Sequence, residues 1–279
     1  MAGNYIRMRW GFVFVSTLEL NNVLIEGAGT EAMVFVHGYG CDQTMWKFVE
    51  PEFRGDFLTV RYDLTGCGKS DMSRYDFATY ATLQGHVDDL LRILSELGLT
   101  SVTFVGHSVS AMTGLLASTQ SPGRFHRQIM VAPSPCHIND DDYIGGFERS
   151  EIESLLDTMD LNYLGWASYM APVIVGNQDS PELAEDLRQT FCSTDPKIAS
   201  HFAGVTFYGD HRKHLPQSSV PALILQCSED VIAPLSVGNY MHQHLPQSKL
   251  VIMDATGHCP QLSAPKELIA CMRTYLKQS

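Results

Sequence analysis

Six short stretches of this chain carry apolar side chains almost without interruption. They are AMVFVHG (32–38), FLTVRYD (57–63), SVTFVGHS (101–108), RQIMVAPS (127–134), PALILQCSED (221–230) and KLVIMDATGH (249–258). A strand with one wet face alternates apolar and polar residues. Near-continuous runs of this length suit strands covered on both faces, as in a parallel sheet sandwiched by helices. Between them the spacing turns helical. Residues 78–98 place Tyr80, Leu83, Val87, Leu90, Leu91 and Leu94 on one side, with Gly98 as a C-terminal stop. Residues 109–120 and 265–277 also read as helices. The alternation predicts an α/β fold with a mostly parallel, doubly wound sheet.

The rhythm fails over residues 137–205, which are helix-like, rich in Met and aromatic residues, and set between two strands. A block of helices that leaves a sheet and rejoins it is most simply a lid over one end. No internal repeat or low-complexity linker interrupts the rest, so one domain with an inserted lid is expected. Near the N-terminus, WGFVFVST (10–17) follows Arg7 and Arg9 but lacks a small-residue cleavage site; it reads as an edge strand or a disordered start.

Charge and composition exclude several function classes. The net charge is −12, from 31 acidic against 19 basic residues, and no basic run occurs. Such a chain repels a phosphate backbone, so nucleic acid is not an expected partner. No run approaches the roughly 18 apolar residues of a membrane span. The seven cysteines are widely spaced, without C-x-x-C, which points to reduced thiols in the cytosol rather than to a disulfide framework or a zinc site. Cys227 and Cys259 read as packing residues. HRKH (211–214) and HQH (242–244) lack a clear third metal ligand, and GCGKS (66–70) has Asp63 where a phosphate loop needs glycine. No metal and no cofactor are expected.

VGHSVSAM (105–112) carries the chemistry. Ser108 stands where a strand should end and a helix begin, a sharp turn that lifts a hydroxyl above the carboxyl edge of the sheet. In the pattern G-x-S-x-G the fifth place is here Ser110, small enough for a crowded turn. A serine that merely caps the helix would look the same in this octapeptide. The partners weigh against that. A serine hydroxyl needs an imidazole base, itself oriented by a carboxylate, and on this architecture the chain order is serine, acid, histidine. Asp230 and His258 each end a predicted strand, in that order. Glu229 and Asp254 compete with Asp230 for the acid, but Glu229 should face the opposite way and Asp254 should still lie within its strand. The backbone N–H groups of Tyr39 and Val109 are the candidate oxyanion hole, with the Tyr39 ring at the pocket mouth. His37 reads as a structural loop histidine.

The segments HGYGCDQTMW, YDLTGCGKSD, FVGHSVSAM, VAPSPCHIND, YIGGFE, NYLGWA, FCSTDP, LILQCSEDVIAP, YMHQHLP and GHCPQLSAP together resemble an α/β-hydrolase of the RsbQ-type stress-response regulators and the plant karrikin and strigolactone receptors. The likeness covers nearly the whole chain from about residue 21. It implies an N-terminal extension over 1–20, an α/β-hydrolase core over 21–136 and 206–279, and a four-helix, V-shaped lid over 137–205. It implies the triad Ser108, Asp230 and His258, and a hydrophobic pocket lined by Tyr39, His107, Trp166, Met170 and Phe207. Tyr39 stands where phenylalanine is usual, which would bring a hydroxyl into the pocket. Met170 stands in for an aromatic residue and would soften its wall.

The expectation is therefore a slow serine hydrolase of small apolar esters or lactones of the butenolide and strigolactone type. Its partner is a small hydrophobic ester or lactone, and a signalling protein could dock at the lid. A ligand receptor with incidental hydrolysis is the first alternative, and a hydrolase of carbon–carbon bonds the second. The expected location is the cytosol, shared with the nucleus if the source is eukaryotic.

Overall fold

A computed structural model describes residues 16–177 and 179–278. Most of WGFVFVST thus lies outside the described residues; Ser16 and Thr17 enter a short helix, α1 (Thr17–Leu20). That helix rests on the core. The Ser16 hydroxyl and the Thr17 N–H both bind the Glu96 carboxylate.

Seven strands form one sheet: β1 (Leu24–Glu26), β2 (Glu31–Val36), β3 (Phe57–Tyr62), β4 (Val102–His107), β5 (Phe125–Val131), β6 (Ala222–Glu229) and β7 (Ser248–Thr256). Their spatial order is β1-β3-β2-β4-β5-β6-β7, and all neighbours are parallel except β1 against β3. All six apolar runs are strands. β1 was not anticipated: it is three residues long, at the sheet edge, with two of its side chains exposed.

The alternation within each strand sorts side chains onto two cores. Val34, Val36, Tyr62, Phe104, Met130 and Ile224 face α2 (Gln84–Glu96), α3 (Val109–Gln120) and, further on, α8 (Leu235–His244). Met33, Phe35, Val105, Ile129, Leu223 and Met253 face the short turns around Trp46 and Phe53 and the C-terminal helix α10 (Pro265–Leu276), which the four-residue α9 (Pro260–Ser263) precedes. Helices on both faces make the sheet doubly wound, as the runs require.

α2 starts later than its spacing suggests, at Gln84, because Asp76 caps a turn through Thr79 instead. It ends as expected, with Gly98 at φ +68°.

Between β5 and β6 the chain leaves the sheet and forms α4 (Arg149–Leu161), α5 (Tyr163–Val175), α6 (Pro181–Ser193) and α7 (Pro196–Phe207). α5 lies on α6, and α4 touches both α5 and α7. Their inward side chains, among them Ile152, Trp166, Leu187, Phe191 and Phe207, join Cys41, Ile232 and Cys259 of the sheet end in a third apolar cluster. The four helices therefore roof the carboxyl end of the sheet. No described helix is long and apolar enough to cross a membrane.

Candidate active site

In the sheet order, β3 and β4 lie on opposite sides of β2, so the winding reverses between β2 and β4. Loops leaving the carboxyl ends of two such strands diverge and open a crevice, where sites of open α/β sheets form. Tyr39 leaves β2 there, and Ser108 leaves β4 there.

Ser108 is held at φ 54°, ψ −122° between the last residue of β4 and the first of α3. A non-glycine residue with positive φ is costly and persists only where its surroundings enforce it. They do so here. The Ser108 N–H donates to the Val131 carbonyl at 2.9 Å, and its own carbonyl accepts from the Ala111 N–H at 2.9 Å. Gly106 makes room for the turn, since a Cβ there would lie 2.7 Å from the Phe104 ring and from the Ser110 backbone. The fifth position of the motif also has an explanation. The buried Ser110 hydroxyl donates to the His37 carbonyl, tying the first turn of α3 to the end of β2.

His258 joins Ser108 to Asp230. Its Nε2 lies 2.8 Å from Ser108 Oγ and its Nδ1 lies 2.8 Å from Asp230 Oδ2. Asp230 Oδ1 accepts the backbone N–H groups of Ile232 at 2.8 Å and Ala233 at 3.0 Å. Burial alone would raise the Asp230 pKa. The His258 imidazole and these hydrogen bonds outweigh it and hold the carboxyl below its usual range. With Asp230 ionised, Nδ1 carries the hydrogen it donates, and Nε2 is the lone pair facing the serine hydroxyl. Glu229 and Asp254, the competing acids, are both exposed and outside this chain of bonds.

The backbone of His258 is anchored to the lid. Its N–H donates to the Ile174 carbonyl at 2.7 Å, in the last turn of α5. Gly257 (φ +91°) precedes it, and a Cβ there would sit 1.9 Å from the Val175 carbonyl oxygen.

Among the described residues, no acceptor takes the N–H of Tyr39 or of Val109. Gly38, Tyr39 and Gly40 turn tightly beside the serine: a Cβ on Gly38 would meet His107 Nδ1 at 2.5 Å and Ser108 Cβ at 3.3 Å. The two N–H groups are therefore free beside Ser108, and Val109 adds the positive end of α3.

Ser108 and His258 line a cavity of about 520 Å³, its open mouth included. Tyr39, His107, Trp166, Met170 and Phe207 line it too, so the structure gathers every pocket residue expected from the sequence. The cysteines do not compete for the role of nucleophile. All seven are free, and burial pushes the thiols of Cys41 and Cys259, both in the cavity wall, well up.

This arrangement sits within a recognisable sequence family. Residues 33–270 match the family model described as the alpha/beta hydrolase family. The chain belongs to the α/β hydrolase family. Within it, this hydrolase is 39% identical over 263 residues to Strigolactone esterase RMS3 of Pisum sativum, covering 94% of this chain and 98% of that one. It is 37% identical over 259 residues to Karrikin insensitive 2 receptor CA of Petunia hybrida, covering 92% and 96%. Among solved structures, a hydrolase from Oleispira antarctica superposes with a TM-score of 0.92 at 39% identity, over 94% of this chain and 97% of the other.

Some positions in this α/β hydrolase differ from expectation or went unforeseen. The hydrogen of the Tyr39 hydroxyl is taken within the protein. The hydroxyl donates to the Ala199 carbonyl of α7 at 3.0 Å, and the ring packs among Trp166, Phe191, Phe202 and Phe207. The aromatic residues of the lid, whose inward faces could not be placed by spacing, draw the ring in. Several wall residues went unforeseen, among them His137, in the loop after β5. The only signal was its place in the loop that leaves the carboxyl end of β5.

The remaining candidates have ordinary roles. His37 accepts the Leu64 N–H at Nε2 (3.0 Å) and contacts the Gly38 carbonyl through Nδ1 (2.8 Å), bracing its loop. His107 Nε2 lies 2.8 Å from the His258 carbonyl, and burial beside His258 pushes its pKa down to about 3, so it stays neutral. His242 and His244 bond to Ser248 Oγ and the Tyr240 carbonyl. Asp63, in the phosphate-loop lookalike, is engaged by the backbone N–H groups of Gln43 and Lys69. Among the described residues, no group of three or more His, Cys, Asp or Glu side chains is placed to hold a metal ion.

Proposed function

We propose that this protein is a serine hydrolase of small apolar esters and lactones, butenolides among them, with Ser108 as nucleophile, His258 as base and then acid, and Asp230 as the orienting carboxylate. The observation that carries it is the unbroken line of bonds from Asp230 through His258 to Ser108, opening on an apolar cavity. In the first half-reaction Ser108 Oγ attacks the carbonyl carbon and its proton passes to His258 Nε2. The new imidazolium is stabilised by Asp230, and the oxyanion by the N–H groups of Tyr39 and Val109. The tetrahedral intermediate collapses as Nε2 returns the proton to the departing alcohol or enol. Water, activated by the same imidazole, then hydrolyses the acyl-serine.

Intact-protein mass spectrometry after exposure to a synthetic butenolide, paired with release of p-nitrophenol from p-nitrophenyl butyrate, tests this directly. An adduct on wild type and its loss in Ser108→Ala are expected. Undiminished ester hydrolysis by Ser108→Ala overturns it.

The relatives favour a second reading alongside the first, in which hydrolysis accompanies signalling. One of them is named a receptor, and the outer surface of the lid exposes Leu161 (88%) and Tyr169 (72%), side chains suited to a protein partner. On this reading a butenolide shifts the melting temperature of Ser108→Ala; an unchanged melting temperature and proteolysis pattern across a butenolide panel count against it. The seven unpaired cysteines support a reducing compartment such as the cytosol.

A further inference from the structure

The hydroxyl hydrogens around the cavity are committed, although each oxygen keeps lone pairs. Ser108 and His258 are bonded to each other, the Tyr39 hydroxyl to Ala199, and the Thr206 hydroxyl donates to the Phe202 carbonyl at 2.8 Å. The Trp166 indole N–H lacks a partner, and like the Tyr39 and Val109 N–H groups it is a donor. The acceptor left on His107, Nδ1, abuts Gly38.

His137 is different. Its ring is buried at 3% exposure, packs on Phe207 with centroids 5.1 Å apart, and lines the same cavity as Ser108. Nδ1 lies 3.4 Å from the Ile232 carbonyl. A carbonyl only accepts, so the imidazole hydrogen sits on Nδ1 and Nε2 keeps its lone pair. No described residue donates to Nε2. Burial, first, and the nearness of His258 push the His137 pKa down to about 4, so the ring is neutral at physiological pH and that lone pair persists. An acceptor in an apolar wall, left without a donor, penalises any ligand that cannot supply one.

We infer that His137 is a specificity-determining residue whose Nε2 accepts a hydrogen bond from a hydroxyl on the substrate, so that the cavity selects hydroxylated esters or lactones over their plain counterparts. This rests on the hydrolase reading and narrows its substrate class. The Ile232 carbonyl that orients the ring belongs to the loop whose N–H groups hold Asp230, so the acceptor is fixed to the same frame as the reacting groups.

The test compares kcat/KM for p-nitrophenyl butyrate with p-nitrophenyl 2-hydroxybutyrate and 3-hydroxybutyrate. Wild type should favour one of the hydroxylated esters by about tenfold, the worth of one good buried hydrogen bond. The ratio should fall to near one in His137→Phe, which keeps an aromatic ring, and recover in part in His137→Gln, which restores an acceptor. His137→Leu serves as the acceptor-free variant if the phenylalanine protein does not fold. Absence of any preference in wild type, or an equal preference in His137→Phe, overturns the proposal. A binding arm separates it from the hydrolase reading. In Ser108→Ala, α-hydroxy-γ-butyrolactone should raise the melting temperature more than γ-butyrolactone, and the added His137→Phe change should abolish the difference. If Ser108→Ala still hydrolyses the esters while the binding preference holds, the nucleophile assignment falls and the His137 assignment stands.

Discussion

The Ser110 hydroxyl and the His37 carbonyl form a bond that joins the two loops carrying the free N–H groups of Val109 and Tyr39. A glycine at position 110, as the simple motif would have it, could not make this bond. The departure from G-x-S-x-G is therefore a stabilising contact.

Ser110→Gly should leave the His37 carbonyl buried without its donor. The expected loss of stability is about 1–3 kcal/mol in urea unfolding. The rate of ester hydrolysis should fall with it, because the two N–H groups lose their fixed spacing. A Ser110→Gly protein with wild-type stability and kcat would refute the contact's role.

Asp230→Asn should preserve the shape of the site while turning the imidazole hydrogen the wrong way. An asparagine NH2 facing Nδ1 demands a lone pair there, which moves the hydrogen to Nε2, where the serine needs a base. A drop in kcat of about 10⁴-fold is expected, by analogy with serine proteases that have lost this carboxylate. Steady-state kinetics on p-nitrophenyl butyrate decides it; a loss of less than tenfold would mean the carboxylate is not part of the machinery.

Acid should destabilise the fold partly through Asp230. Its carboxyl titrates lower in the folded protein than in the unfolded chain, where an aspartate sits near about 3.9. Its contribution to stability is therefore complete above that value and is lost as the pH falls through the lower, folded pKa. Urea unfolding between pH 6 and pH 3, as roughly the range that spans ordinary carboxylate titration, should show a shallower acid loss in Asp230→Asn than in wild type. Parallel curves would contradict the linkage.

Tyr39→Phe separates the two accounts of that hydroxyl. If it served a ligand, KM would rise for carbonyl substrates. Since it ties β2 to α7 through Ala199, the expected result is a KM within about threefold of wild type and a stability loss of about 1 kcal/mol, one ordinary hydrogen bond. A KM increase of more than tenfold with unchanged stability would restore the ligand contact.

The parts legible in the sequence were those where a single constraint dominates. A strand covered on both faces must be apolar throughout, so the inner strands β2, β4, β5 and β6 stood out, while the edge strand β7 stood out by its run from Leu250 to Met253 although Lys249, Ile252 and Asp254 are exposed. Ser108, Asp230 and His258 could be paired because each follows one of those strands in the order the winding allows. What escaped lacked such a constraint. β1 pairs along one edge and keeps Leu24 and Ile25 exposed, so no apolar run marks it. α8 was unforeseen because it buries little more than Val237 and Met241 along its length. The Tyr39 hydroxyl was misdirected because its partner is a backbone carbonyl 160 residues away, which no side-chain pattern reports. His137 was overlooked because it lies well out in the loop after β5, where no strand end marks it.

The bond from the His258 N–H to the Ile174 carbonyl gives the roof a second duty. The last turn of α5 grips the backbone of the residue that must move the proton, and Gly257 leaves no slack between them. A substitution that displaces the end of α5 therefore also disturbs the imidazole, without touching Ser108.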